Sequence, residues 1–291
     1  MPHLFCHLPI RGLAVSLCAV FLALAGGCAG RPESPIVELA SGGASAATAV
    51  RLDALLPTDV LLVGEQHDAA EHQKIEQQII SALAARGLLA AVTLEMADVG
   101  LSTATLKPSS TEEQTRRSLK WDEKGWPWAA YGPVVMTAVR AGIPVLGGNL
   151  PREQLPGSMD DRKLDIRLPG PALKAQQQAI RIGHCNLLPE SQVTPLTRVQ
   201  IARDITMAGA IHQAALPGKV VVLLAGNGHV DRQLGVPQHL PTDLKTSIIR
   251  LRAGPDAAVE QADALQSVWI TPALPDTDYC AALSKELGPK P

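Results

Sequence analysis

Two imidazoles and a carboxylate are the side chains of this sequence best placed to do chemistry. His67 closes the stretch Leu61-Leu62-Val63-Gly64-Glu65-Gln66-His67, and His229 closes its echo, Leu223-Leu224-Ala225-Gly226-Asn227-Gly228-His229. In both, an apolar run meets glycine, two further residues and a histidine. This predicts an imidazole just beyond the carboxyl end of a buried strand, where open α/β sheets bind their ligands. The glycine permits a tight exit and close backbone approach, and a helix opening after His67 presents N-terminal amides to an anion. A third apolar run ends at Leu94 and delivers Glu95 to the same rim. Two imidazoles and a carboxylate from three strand ends suit a divalent metal such as Zn or Mn with an open position, or a general acid–base pair. Glu65 stands two residues before His67, where it can join the group or orient an imidazole. His72, in the first turn of the following helix, is a further candidate, although a solvated helix face explains it as well.

The aromatic residues are few and uneven: Trp121, Trp126, Trp128 and Tyr131 fall close together. Such a cluster can wall a pocket for a flat ligand, and the Tyr131 phenol is a type of ligand that ferric haem iron accepts. A hydrophobic anchor pinning an insert to the sheet accounts for the tryptophans equally. Gln200, Arg203 and Asp204 share a helix face and read as a surface ion-pair stripe, while Asn149, Pro151 and Arg152 follow a strand end and can reach the rim. His184 reads as structural, and His212 and His239 as ordinary surface or helix residues. The chain has no His-Glu-x-x-His helix, Walker A loop, Gly-x-Ser-x-Gly elbow or Cys-x-x-Cys pair, so the common metalloprotease, nucleotide-hydrolase, serine-hydrolase and thioredoxin readings lack support.

The elements that must position these residues follow from hydrophobic patterning. Short, mostly continuous apolar runs at 60–63, 91–94, 143–146, 220–224, 247–251 and 267–270 predict strands buried on both faces. Between them lie helical patterns. One begins after Asp68, with Glu71 completing a capping pair, continues through Ile75, Ile79 and Leu83, and stops at Gly87. Others cover 131–141 and 196–215. The alternation predicts an α/β fold, a mainly parallel central sheet flanked by helices. Residues 102–128 and the proline-rich 151–188 break the rhythm and are expected to form a smaller helical insert or lid.

Upstream of this domain, Arg11, an apolar run from Leu13 to Leu24 and Ala25-Gly26-Gly27-Cys28 have the layout of a secretory signal with a lipobox. The expected organisation is a lipoprotein signal peptide at 1–27, a tether rich in Gly, Ala, Ser and Pro at 28–50 and a domain at 51–291, with Cys28 lipidated. Of five cysteines, Cys6 and Cys18 fall in the signal, leaving Cys185 and Cys280 to pair in an oxidising compartment. A net charge of -2, from 26 basic and 28 acidic residues, gives no field for a polyphosphate backbone, so no nucleic-acid partner is expected. The domain, about 240 residues, can bury a core without needing a metal to fold.

The motifs taken together resemble a known family. Leu62-Val63-Gly64-Glu65-Gln66-His67-Asp68 with His72-Gln73, Leu94-Glu95-Met96, Tyr131-Gly132-Pro133, Gly142-Ile143-Pro144 and Asn149 resemble the ChaN-like haem-binding lipoproteins. So do Gly183-His184-Cys185, Gln200 with Arg203-Asp204, and Ala225-Gly226-Asn227-Gly228-His229-Val230, in the family's order. The wider set includes Tiki, TraB and erythromycin-esterase-like proteins. The resemblance implies an α/β core with a smaller helical portion, haem bound in a strand-end pocket, a role in iron acquisition at the bacterial envelope, and a homodimer. It places the protein facing the periplasm, lipid-anchored in the outer membrane rather than the inner. Tyr131, His67 and His229 are the iron-ligand candidates, with Glu65, Glu95 and His72 nearby. The alternative is a hydrolase of the Tiki or esterase branch, in which His67 and Glu95 bind a metal or activate water and His229 assists.

Overall fold

A computed structural model describes residues 44–254 and 266–287. The expected signal peptide, the lipidation site Cys28 and the tether up to residue 43 lie outside the described residues. The last part of the expected tether is helical: α1 (Ala44–Asp53) buries Thr48 and Leu52 and packs on the next helix.

Six strands form one sheet: β1 (Val60–Glu65), β2 (Leu89–Asp98), β3 (Val145–Asn149), β4 (Val220–Gly226), β5 (Thr246–Ala253) and β6 (Gln266–Thr271). Their order is β3-β2-β4-β1-β5-β6, and every pairing is parallel. The chain is therefore α/β, as the patterning predicts. The apolar runs are continuous because the sheet is covered twice. Leu61, Val63, Leu94, Val222 and Leu224 face one layer with Ile75, Ile79 and Leu83, while Val60, Leu62, Val221 and Leu223 face Met207, Ala208 and Ile211 on the other.

The first layer is made by α1, α2 (Ala70–Ala85) and α4 (Trp128–Arg140), with the short α3 (Glu112–Ser118) against α4. The second is α7 (Glu190–Ala214), which starts earlier than the pattern predicts and carries Pro195 inside it, where the missing N–H removes one intrahelical hydrogen bond. The expected Asp68 cap of α2 does not form. Ala69 occupies the N-cap without a side-chain bond, and Asp68 accepts a hydrogen bond from Tyr279 instead. Packing holds α2 in place of the cap: Ile79, Ile80 and Leu83 are fully buried, and each contributes roughly 1.5–3 kcal/mol relative to exposure.

Both rhythm-breaking segments are helical excursions. Residues 102–128 contain α3, closed at its start by a reciprocal Thr111–Gln114 capping box. Residues 151–188 contain α5 (Leu155–Asp160) and α6 (Gly170–Gly183), which with α7 enclose a separate small cluster of Leu150, Leu164, Leu168, Ile201 and Ala202. Cys185, just past α6, is bonded to Cys280 in α8 (Tyr279–Leu287), as expected from the cysteine count. The bridge closes a loop of 95 residues. The chain-entropy model gives such a loop on the order of 4–5 kcal/mol. Replacing both cysteines by serine should lower Tm in thermal unfolding, and a thiol titration of the denatured, unreduced protein should find neither Cys185 nor Cys280 free.

Candidate functional site

The sheet order brings the two echoes side by side. β1 and β4 are neighbours with Gly64 opposite Ala225 and Glu65 opposite Gly226, so His67 and His229 leave the sheet at the same level. β2 lies on the other side of β4, with Leu94 opposite Leu224, which delivers Glu95 beside them. The glycines are required by contact. A Cβ at Gly64 would stand 2.3 Å from Val230 Cγ2, and one at Gly226 would stand 2.8 Å from His67 Nε2.

Glu95 is 3% exposed and is the hub of the site. Its Oε2 accepts the Gly226 N–H at 2.7 Å, and its Oε1 accepts Arg203 Nη2 at 2.7 Å with His229 Nε2 at 3.4 Å. Burial alone would raise its pKa, but His229, Arg203 and His67 together hold it well below the usual carboxylate range. His229 is 4% exposed. Its Nδ1 lies 2.5 Å from Asp204 Oδ1, and Gln200 Nε2 is 3.0 Å from the same nitrogen. Burial disfavours its charge, yet Glu95 and Asp204 outweigh that and raise its pKa to about 9. Asp204 itself is pushed up to about 6 by burial, against the pull of His229 and Arg203.

A second hydrogen-bonded group stands around His67. Glu65, 2% exposed, accepts from His67 Nδ1 at 2.8 Å and from the Tyr131 hydroxyl at 2.8 Å, and Gln73 donates to its other oxygen. Burial followed by the charge of Glu65 moves Tyr131 strongly upward, so it stays a neutral phenol. His67 keeps 40% of its side chain exposed, and its Nε2 lies 3.8 Å from Glu95 Oε2, beyond hydrogen-bond reach. Burial opposes its charge, but the Glu65 hydrogen bond and Glu95 raise its pKa. Trp126 meets the His67 ring edge-on at a centroid distance of 4.9 Å.

The structure thus brings His67, Glu65, Tyr131, Glu95 and His229 together. His72 is not among them: it is fully buried, accepts from the Gln66 N–H at 2.9 Å and meets Thr271 Oγ1 at 3.0 Å, and burial lowers its pKa to about 4. Among the described residues, Trp126 is the tryptophan whose ring meets an imidazole. Trp121 and Trp128 stack edge-on at 5.0 Å, and Trp128 Nε1 donates to Glu112, as an anchor for the excursion would.

The surface stripe of Gln200, Arg203 and Asp204 is a correction. Asp204 is fully buried, and all three turn inward onto His229, Glu95 and Asn149, where Arg203 Nε donates to Asn149 Oδ1 at 2.9 Å. Their i, i+3, i+4 spacing gave the shared face but not its direction. Glu76 escapes a sequence reading altogether. It is fully buried one turn beyond Gln73, neither oxygen has a hydrogen-bond partner, and burial with Glu65 nearby raises its pKa well above the ordinary range. Its position between Ile75, Ile79 and Ile80 was the available signal.

No three His, Cys, Asp or Glu among the described residues are arranged to hold a metal ion. The chemistry of the donors agrees. An imidazole with a pKa of about 9 that engages carboxylates at both nitrogens has no lone pair to offer near neutral pH, and Arg203 already occupies Glu95. Next to the site lies a cleft of about 370 Å3, bounded in part by Trp126, Asn149 and Arg203.

The family model described as haem-binding uptake, Tiki superfamily, ChaN matches residues 51–240. The chain belongs to this ChaN family. A structure described as cofacial heme binding to ChaN of Campylobacter jejuni shares its fold, with a TM-score of 0.62 and 21% identity over 81% of this chain and 98% of that one. The type III effector HopBA1 matches with a TM-score of 0.43 and 14% identity, over 84% of this chain and 99% of that one. No curated protein sequence matches the chain. The ChaN resemblance of the sequence motifs is thereby shown, and with it haem binding and uptake at the level of the family.

Two outcomes follow from the geometry. The Gly226→Ala variant should displace the His67 ring, read as a changed His67 imidazole resonance with near-native far-UV circular dichroism. The raised pKa of His229 contributes stability that is complete below its unfolded value of about 6.5 and is lost as pH rises through about 9. An NMR titration of His229 should have its midpoint near 9 and should move down in Glu95→Gln.

Proposed function

We propose that this protein is an envelope lipoprotein that binds haem at the strand-end site, with His67 as the iron ligand. The observation that carries the reading is that His67 alone of the three ligand candidates combines exposure with a ring nitrogen outside any hydrogen bond. Its Nδ1 is fixed by the buried Glu65, the arrangement that orients an imidazole and raises its basicity toward a metal. Tyr131 is 1% exposed with its hydroxyl given to Glu65, and His229 is buried between two carboxylates. Haem supplies an iron centre and a flat apolar ring. Trp126 offers a wall for such a ring, and Glu65 keeps Nδ1 protonated so that Nε2 carries the lone pair.

The same reading extends to setting. Lipidation at Cys28 would hold the protein on a bacterial membrane, the outer rather than the inner, facing the periplasm, in service of iron acquisition. The described cofacial binding in the Campylobacter relative supports a homodimer that holds haem between partners.

Adding haem to the purified mature protein should give a saturable Soret shift. His67→Ala should weaken it by at least about 10-fold, the equivalent of about 1.4 kcal/mol, while Tyr131→Phe retains it. A wild type without a shift overturns haem binding; loss in Tyr131→Phe with retention in His67→Ala overturns the ligand assignment. Membrane fractionation of Cys28→Ser tests the anchor, with release to the soluble fraction expected.

A second reading, hydrolysis assisted by His67, Glu95 and His229, has one observation in its favour. The site contains two carboxylate–imidazole pairs, Glu65–His67 and Asp204–His229, more acid–base apparatus than a haem pocket needs. Activity on ester and peptide panels that disappears in His67→Ala would support it.

A further inference from the structure

The cleft beside His67 has an unusual residue at its rim. Helix α3 ends in a Schellman turn, in which the Trp121 N–H reaches the Arg116 carbonyl at 2.9 Å and the Lys120 N–H reaches that of Arg117 at 3.1 Å. The residue in the left-handed position of such a turn is ordinarily glycine, because a Cβ is disfavoured there. Here it is Lys120, with φ of +44°. The conformation projects an exposed lysine into the lining of the cleft, where it is joined by Arg152. Among the described residues neither cation has an ion pair or side-chain hydrogen bond, although Arg116 and Arg117 in the same helix are both paired. Arg203 completes the set from below, with Nη1 still free after its bonds to Glu95 and Asn149.

Two carboxylates share the cleft. Asp122 is turned onto its own loop, where it accepts the Lys124 N–H at 3.1 Å. Asp98 is pushed upward by burial and by Glu153 and Asp122, with Lys120 opposing, and among the described residues it makes no ion pair with the lysine. The remaining walls are apolar, including Leu119, Leu150 and the Trp126 ring that also touches His67.

We propose that Lys120 and Arg152 form an anion subsite that takes the carboxylate-bearing edge of a flat, apolar ligand lying between this cleft and His67. This rests on the reading of the site as a porphyrin pocket but does not depend on iron. The left-handed position costs backbone strain that glycine would relieve, and it sets the Lys120 ammonium at the cleft. The ligand enters body-first against Trp126, and its carboxylates remain at the mouth as charge-assisted hydrogen-bond acceptors.

The test uses the mature full-length protein, tryptophan fluorescence and two metal-free probes: a porphyrin dicarboxylic acid and its dimethyl ester. The acid should bind wild type on the order of 10-fold more tightly than the ester. Lys120→Gln with Arg152→Gln should remove that preference without changing ester binding. Lys120→Gly should raise Tm while weakening binding of the acid, an opposition that a purely structural lysine would not produce. Equal binding of acid and ester to wild type, no binding of either, or an undiminished preference in the double variant overturns the subsite. Iron ligation by His67 is read separately from the Soret shift, so the two ideas fail independently.

Discussion

A single buried negative charge organises this molecule. Glu95 is drawn out of water within β2, just past the last residue of that strand paired with β4, and compensated by one backbone N–H from β4, one guanidinium from α7 and one imidazole from the loop after β4. An ionised carboxylate in such a place is tolerated only when its partners are complete, and removing one leaves the rest uncompensated at about 3–5 kcal/mol. The central strand, its neighbour and the longest helix are thereby locked at the rim where His67 and His229 emerge. Stability and site geometry are the same interaction seen from two directions.

The two layers divide the labour around that charge. The α2 and α4 side supplies Glu65's environment: Gln73 from one helix and Tyr131 from the other converge on its carboxylate, which turns His67. The α7 side supplies Gln200, Arg203 and Asp204 to His229 and Glu95. The exposed imidazole is thus oriented by one face of the sheet and the buried imidazole by the other. Only the central strands, whose residues point alternately to both, could join them.

The sheet and the convergence of His67, Glu95 and His229 were legible in the sequence because both depend on local pattern. Apolar runs buried on two faces are continuous, and a glycine after such a run marks a strand exit. The direction of a polar helix face was not legible in the same way. Gln200, Arg203 and Asp204 show the spacing of a solvated stripe, and only the packing of α7 against the rim decides that they turn inward. His72 failed for the converse reason: it follows the motif histidine closely, yet one of the two hydrogen bonds that hold it inside is made with Thr271, almost two hundred residues away. Helix starts also depended on tertiary contacts, since Asp68 was drawn from its capping role by Tyr279.

The adjacency of β1 and β4 has a consequence for assembly. The two strands that carry the histidines are hydrogen-bonded neighbours although most of the domain lies between them in the chain. Contacts of such long sequence separation form late and slowly. The pairing that sets His67 and His229 side by side therefore arrives in the same step as closure of the central sheet.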